Sequence, residues 1–321
     1  MHSFELLSEK FALHFDKKHF PDEPSSLYGP NEYFLKLGGK RVRPVLVLLG
    51  NELFDDINPD AWHVAIAIEL FHNFTLIHDD IMDKAPLRRG METVHARYGE
   101  NTALLAGDVM LVAAYEYLNK INTNYLHRVI YIFNKTAKEV CEGQQLDIDF
   151  EKKENVSHDE YMQMIRLKTS VLLAASLKLG AIMGGGSERN QNLIYEFGRK
   201  LGIAFQVQDD FLDAFGDPKK FGKQVGGDIM ANKKTFLLIH ALETATASQK
   251  NELRRLMNDN PDDKVEKMLD IFHSSKADEW ALQLKNKYLD EALAHLDDIA
   301  VLSKRKDPLK ELAHFLVKRE Y

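Results

Sequence analysis

Cysteine is almost absent from this 321-residue chain. With Cys141 alone, no intramolecular disulfide can form, so a packed core must hold the fold, and a reducing compartment suits it. Cys141 itself is expected to be a small core residue. Proline is scarce too, with nine in all, which argues against a fibrous or disordered chain. Long apolar runs are missing: Val45 to Gly50 is far too short to cross a bilayer and reads as the core of a helix. Met1-His2-Ser3-Phe4-Glu5 lacks the basic and apolar regions of a signal peptide, and Lys318-Arg319-Glu320-Tyr321 is no prenylation box. An excess of positive charge is also lacking. The formal net charge of −7 points away from nucleic acid and from anionic membranes as partners. These absences describe a soluble cytoplasmic protein with no stable membrane insertion.

Period-two alternation is scarce as well, so strands are not expected, and no convincing β-hairpin signal is present. Apolar residues recur instead at spacings of three and four, as in Ala65, Ile68, Phe71, Thr75 and Met82, and again in Leu193, Phe197, Leu201, Phe205 and Leu212. That period predicts a mainly α-helical chain. No shift in composition marks a boundary, so residues 1–321 are read as one domain. Turn residues at Phe20 to Pro24, Gly38-Gly39, Pro86 to Gly90 and Gly184 to Ser187 separate the helices. The stretch from Ala214 to Asp228, rich in Gly and Lys, reads as a closing element. The charged tail from about Pro261 reads as surface-packed helices.

Two acidic clusters dominate what is present: Asp79-Asp80-Ile81-Met82-Asp83 and Asp209-Asp210-Phe211-Leu212-Asp213. Each follows an apolar helical run. Positions i and i+4 share a helix face, so Asp79 should point with Asp83 and Asp209 with Asp213. Crowded carboxylates are costly unless cations neutralise them, and an all-oxygen set suits a hard divalent ion such as Mg2+ with a phosphate-bearing substrate. Ile81, Phe211 and Leu212 should face the core. Arg88-Arg89-Gly90 follows the first cluster, and guanidinium groups bind phosphate bidentately. Gly38-Gly39-Lys40-Arg41-Val42-Arg43-Pro44 places two glycines at a helix start, where backbone N–H groups favour anions. Lys40 and Arg43 share a face and suit a second phosphate group. Further cations stand at Lys168, Lys223, Lys233 and Lys234. Each feature alone is explained by solvated surface; their joint occurrence is not.

These segments resemble the trans-isoprenyl diphosphate synthases (polyprenyl synthetases) over Gly38 to Thr235. The markers are Gly38 to Pro44, Asp79 to Asp83 with Arg88-Arg89-Gly90, Gly143-Gln144-Gln145-Leu146-Asp147, Lys168-Thr169, Phe205-Gln206 with Asp209 to Asp213, and Asn232-Lys233. The resemblance implies an all-α fold of long helices around a central cavity, with the two aspartate motifs facing each other at its mouth. It implies three Mg2+ ions: Asp79 and Asp83 would hold two and Asp209 the third, while Asp80, Asp210, Asp213, Asp147 and Asp228 support them. Lys40, Arg43, His72 and Arg89 would hold the diphosphate of isopentenyl diphosphate, with Phe205 against its hydrocarbon part. Arg88, Lys168 and Lys233 would offset charge on the leaving pyrophosphate, Gln206, Lys168 and Thr169 would line the reacting centre, and Lys223 belongs to the closing element. His78 reads as structural. The implied reaction is head-to-tail condensation with an allylic diphosphate, with pyrophosphate released, in a homodimer.

Product length should be set along the first acidic helix below Asp79, where Phe74 is bulky, Thr75 is small and Phe71 is a second floor. The family resemblance implies that one aromatic there gives C15 to C20 products, C20 favoured, with longer polyprenyl chains as the alternative. A His-Asp phosphohydrolase built on His78-Asp79 leaves the second motif unexplained. A terpene cyclase has no use for Lys40, Arg43 and Arg89, a non-catalytic synthase subunit would have lost aspartates, and a purely structural bundle would not need them.

Overall fold

Helix starts in this chain are written in capping chemistry. Ser3 accepts the N–H of Leu6 to open α1 (Phe4–Phe15). Asn58 accepts the N–H of Asp60 and Pro59 fills the first helical position of the long helix Pro59–Met82. Ser157 with Glu160, and Thr246 with Gln249, form reciprocal capping boxes further on. The computed structural model describes residues 1–216 and 226–318. Its order after α1 is α2 (Ser25–Lys36), α3 (Val42–Glu52), α4 (Pro59–Met82), α5 (Val94–Tyr98), α6 (Glu100–Leu118), α7 (Thr123–Lys152), α8 (His158–Ile165), a π-helical turn (Arg166–Ser170), α9 (Val171–Met183) and α10 (Glu188–Phe215). There follow α11 (Gly227–Met230), α12 (Phe236–Thr244), α13 (Ala247–Asp259), α14 (Lys264–Ser274), α15 (Ala277–Asp297) and α16 (Asp307–Lys318). The all-α expectation holds. No described helix is long and apolar enough to cross a membrane.

One detail differs. Leu87–Arg88 (β1) pairs antiparallel with Met91–Glu92 (β2), in the register Leu87 with Glu92 and Arg88 with Met91. The turn between them, Arg89-Gly90, has both φ angles positive, at 55° and 77°. That is the backbone a two-residue hairpin requires, and it normally announces itself as Asn-Gly or Asp-Gly. With arginine in the first position the signal was not visible in the sequence.

The described chain divides into two compact units. The first is Met1–Phe133 with Ser176–Asn192; the second is Asn134–Ala175 with Leu193–Tyr321. In the first unit, α3 is buried on every side from Pro44 to Glu52. A helix that is apolar all round belongs in a protein interior, and this accounts for the Val45 to Gly50 run. It is met at backbone distance by α9: a Cβ on Gly180 would lie 2.0 Å from the Val47 carbonyl oxygen, and one on Gly184 would lie 2.4 Å from that of Asn51. The core of the second unit gathers Phe150, Tyr161, Met164, Val207, Phe236, Leu253, Met268, Phe272 and Ala281, with Phe211 packed against it. Leu212 is buried there as expected, while Ile81 is only partly buried. Cys141 departs from expectation: it lies exposed on α7, so it is no core residue.

Gly180→Ala should therefore lower the melting temperature. The added methyl meets backbone that cannot swing aside, and overpacking of this kind costs about 1–3 kcal/mol. Thermal denaturation of the purified variant checks it; an unchanged transition would mean that α3 and α9 have room to separate.

Candidate active site

In the first unit, α4 carries Phe71, His72, Phe74, Thr75, Asp79 and Asp80 and ends at Asp83, its C-cap. The Asp83 N–H donates to the Asp79 carbonyl at 2.8 Å, so these two residues lie one turn apart on one flank. Asp80 turns the other way and is 1% exposed. Arg88 Nε donates to both its carboxylate oxygens, at 2.9 and 2.8 Å, and Nη2 lies 2.7 Å from Oδ1. The sequence reading gave Asp80 to the metal and Arg88 to the diphosphate. The structure binds them to each other, so each reaches a ligand only through or beside that pair.

The same unit assembles the other predicted cations. Arg41, in the left-handed region at φ 49°, precedes α3, pairs with Glu69 and donates to the Leu35 carbonyl at 3.1 Å. Asn73 Nδ2 supports Glu69 at 3.0 Å. Arg43 Nη1 donates to His72 Nε2 at 3.0 Å, while its enclosed Nε has no hydrogen-bond partner among the described residues. Gly39, at φ 147°, leaves room for Arg89: a Cβ there would sit 2.8 Å from the Arg89 guanidinium. Lys40 is exposed beside it. Burial pushes the Arg43 guanidinium down to about 10. Burial, then Arg43, Arg89, Arg88 and Arg41, hold the His72 imidazolium pKa well below its ordinary value. Arg89 is lowered by burial and by Arg41 and Arg88. His72 is thus a neutral acceptor towards Arg43, with its proton on Nδ1. Glu69 and Asp80 pair with Arg41 and Arg88; Arg43 faces an imidazole instead of a carboxylate. Such crowding of guanidinium groups is what an incoming polyanion relieves.

Below the acidic motif runs an aromatic column. Phe74 meets His78 at 4.7 Å between ring centroids and Phe71 at 5.7 Å; Phe71 meets Phe133 at 5.3 Å, and Phe133 meets Tyr115 at 5.2 Å. Phe71 is buried in the core and Phe74 only partly, so Phe74 is the ring with surface to offer. The Thr75 hydroxyl donates to the His72 carbonyl at 2.8 Å and is satisfied by its own helix. His78 fills the space over Gly107 and donates to the Leu104 carbonyl at 3.2 Å, consistent with a structural part. Phe133 and Tyr115 went unnoticed in the sequence because they come from α7 and α6, with no motif around them.

The second unit carries the other acidic motif inside α10, which runs through Asp213 to Phe215. Asp210 is buried and accepts from the Tyr161 hydroxyl at 2.8 Å and from Gln206 Nε2 at 3.0 Å. Burial pushes its carboxyl up to about 6, against the pull of Lys233 and with the help of Asp228. Tyr161 is raised well above its ordinary value by burial and then by Asp210. The Asp213 carboxylate accepts the N–H of Asp228 at 2.9 Å. Lys233 Nζ stands 3.6 Å from Asp228; burial opposes its charge, but Asp228, Asp210 and Asp147 together raise its pKa. Lys168 Nζ pairs with Asp147 at 2.5 Å, and Thr169 Oγ1 donates to Gln206 Oε1 at 3.2 Å. Lys168 and Thr169 lie in the π-helical turn, a form found disproportionately at functional sites. It fits tightly, since a Cβ on Gly143 would lie 2.2 Å from the Lys168 nitrogen. Phe205, partly buried, precedes Gln206 on α10. The structure thus joins Thr169, Gln206, Asp210 and Tyr161 in one chain of hydrogen bonds. Tyr161 had no signal beyond its helical period. Lys223 and most of the Ala214 to Asp228 stretch lie outside the described residues.

Carboxylates outnumber amines here: Asp147, Asp209, Asp210, Asp213 and Asp228 against Lys168 and Lys233. Among the described residues, no three His, Cys, Asp or Glu side chains form a metal-holding group by themselves. Two carboxylates a turn apart, with substrate phosphates and water to complete the shell, is how Mg2+ is commonly held. The donor set therefore fits that ion.

The sequence pattern of the Polyprenyl synthetase family matches residues 24–273. The chain belongs to that family. A short chain isoprenyl diphosphate synthase of Methanocaldococcus jannaschii is 39% identical over 308 residues, covering 95% of this chain and 92% of that one. A crystal structure of a geranylgeranyl pyrophosphate synthase superposes with TM-score 0.95 at 42% identity, covering 100% of both chains. That of the geranylgeranyl pyrophosphate synthetase from Pyrococcus horikoshii gives TM-score 0.91 at 37% identity, covering 98% of each. The chain is thus an enzyme, a prenyl diphosphate synthase joining isopentenyl diphosphate to an allylic diphosphate.

For this synthase, Arg43→Met removes a desolvated charge whose hydrogen-bond partner is His72 and on which Glu69 acts without a direct bond among the described residues. The ligand-free variant should melt no lower than the parent, and should lose the stabilisation that inorganic pyrophosphate gives the parent without Mg2+. Thermal shift with and without pyrophosphate checks both; an unaltered pyrophosphate response would remove Arg43 from the anion site.

Proposed function

We propose that this synthase makes a C20 all-trans prenyl diphosphate, with C15 as a shorter outcome, from dimethylallyl, geranyl or farnesyl diphosphate and isopentenyl diphosphate. The observation that carries this reading is the cluster of Arg41, Arg43, Arg88 and Arg89 around His72, tied to the first acidic motif through Arg88 and Asp80, with Phe74 further down the same helix. The names of the two geranylgeranyl pyrophosphate synthase structures described above support C20. Arg43, Arg89, Lys40 and neutral His72 hold the isopentenyl diphosphate, and Phe205 lies against its hydrocarbon part. Asp79 and Asp83 would hold two Mg2+ ions and Asp209 a third, with Asp213 and the other aspartates in support; when bound, Mg2+ stabilises the negative charge of departing pyrophosphate. Lys168, Lys233 and Arg88 offset the same charge as the allylic C–O bond breaks and its electron pair leaves with pyrophosphate. Oxygen dipoles of Thr169 and Gln206 face the allylic cation. The isopentenyl double bond attacks that cation, a C–C bond forms, and the proton lost from the adjacent carbon passes to pyrophosphate. The two units work as one catalytic domain, in a cytoplasmic homodimer, as the family resemblance implies.

Purified protein should elongate each allylic primer with radiolabelled isopentenyl diphosphate when Mg2+ is present and stop when it is chelated. Failure to elongate any primer would sink the reading. Phe74→Ala should lengthen the product by at least one isoprene unit, with Phe71 and Thr75 as the next positions down and beside it. Chromatography of the dephosphorylated alcohols reads the result, and an unchanged product would exclude Phe74 as the floor.

A further inference from the structure

Lys264 opens α14 and has no exposed surface. A buried ammonium costs several kcal/mol to desolvate, and such a group normally has a carboxylate beside it. Among the described residues, Lys264 has neutral oxygens instead. Its Nζ donates to Asn232 Oδ1 at 2.6 Å and to Asn260 Oδ1 at 3.0 Å, and lies 3.5 Å from the Met230 carbonyl oxygen. These match the three donors of an ammonium. A neutral apolar side chain would fill this place at lower cost, so the charge calls for an explanation beyond packing.

Its partners supply one. Asn232 and Asn260 both hold left-handed backbone, at φ 55° and 47°, a region that asparagine tolerates better than most residues. The Asn232 side chain is fixed at both ends, because its Nδ2 also donates to the Met257 carbonyl at 3.0 Å. The chain leaves Asn232 directly into Lys233, whose N–H donates to the Asp228 carbonyl at 2.9 Å. The Asp228 N–H is in turn the donor to the Asp213 carboxylate. Val265, next to Lys264, packs against Gly226 at the start of the same segment, where a Cβ would lie 2.7 Å from Val265 Cγ1. An unbroken series of short contacts therefore leads from a buried ammonium to the acidic motif.

We propose that Lys264 is a positioning residue for Lys233 and Asp228, acting through the side chain of Asn232. It clamps the turn so that the Lys233 ammonium and the Asp228 carboxylate keep their places beside the Asp209 to Asp213 carboxylates. The inference rests on the role given to Lys233 under the proposed function. It separates catalytic rate from binding of isopentenyl diphosphate, whose diphosphate is assigned to Lys40, Arg43, His72 and Arg89 in the other unit.

Lys264→Met in the full-length protein should lower kcat by about tenfold or more, as a small misplacement of a reacting group does. KM for isopentenyl diphosphate should stay within about twofold, and the Mg2+ concentration for half-maximal rate should rise. Asn232→Gly keeps the left-handed turn, removes only the side chain, and should reproduce that pattern. Asn260→Gly removes a different acceptor of the same ammonium and should lower the melting temperature with kcat and Mg2+ dependence unchanged. Should Lys264→Met fail to fold, the two glycine variants decide. Wild-type kcat and Mg2+ dependence in folded Lys264→Met, or in Asn232→Gly, overturns the inference, as does an Asn260→Gly enzyme that matches the predicted loss. A fully active Lys233→Ala protein would overturn the role of Lys233 and this inference with it. An inactive Lys233→Ala beside a fully active Lys264→Met overturns this inference alone.

Discussion

Asp80 and Asp210 are buried carboxylates, and a buried carboxylate is tolerable only where donors surround it. Arg88 meets Asp80 from the hairpin, and Tyr161 with Gln206 meets Asp210 from α8 and α10. Satisfying the second aspartate of each motif fixes the rotation of the helix that carries it. At about 100° per residue, the first and fifth positions then fall within about 40° of each other on a neighbouring flank. Asp79 with Asp83, and Asp209 with Asp213, owe their shared direction to helix spacing; the partner that the intervening aspartate finds inside decides where that flank points. Where that inner bond sits, the outward pair follows.

The two units crowd charge of opposite sign. In one, Arg41, Arg43, Arg88 and Arg89 surround His72; burial lowers His72, Arg43 and Arg89, and neighbouring guanidinium groups lower His72 and Arg89 further. In the other, Asp228, Asp210 and Asp147 raise the Lys233 ammonium, while burial, and then Asp228, raises the Asp210 carboxyl to about 6 against the pull of Lys233. Neither arrangement is the cheapest for a protein alone. The first suits a polyanion and the second suits hard cations.

Much of this was legible in the sequence, because the carriers were dense local motifs. The helical period, the Asp-Asp-x-x-Asp spacing, Gly38 to Arg43 and Lys168-Thr169 all concern residues within a few positions of each other, where helix geometry converts spacing into direction. What escaped depends on tertiary neighbours or on backbone form. The Arg88–Asp80 pair needed a hairpin whose Arg-Gly turn lacks the usual asparagine. The π-helical turn at Arg166–Ser170 rests on close approaches at Gly143 and Gly202, which no local pattern encodes. Tyr161, Phe133 and Tyr115 look like any core aromatics until their partners are seen. Cys141 was assigned by residue type, and a lone cysteine on a helix face carries too little context for that to hold.

Under Asp79 the rings meet one another in sequence, Phe74 to Phe71, Phe71 to Phe133 and Phe133 to Tyr115. With Phe74 as the proposed floor, size selection and bond-making are separable inheritances of one helix. A lineage could resize the hydrocarbon end by exchanging one ring for a smaller side chain while the charged end stays as it is. Enzymes with different product lengths would then diverge first at the phenylalanines and last at the aspartates.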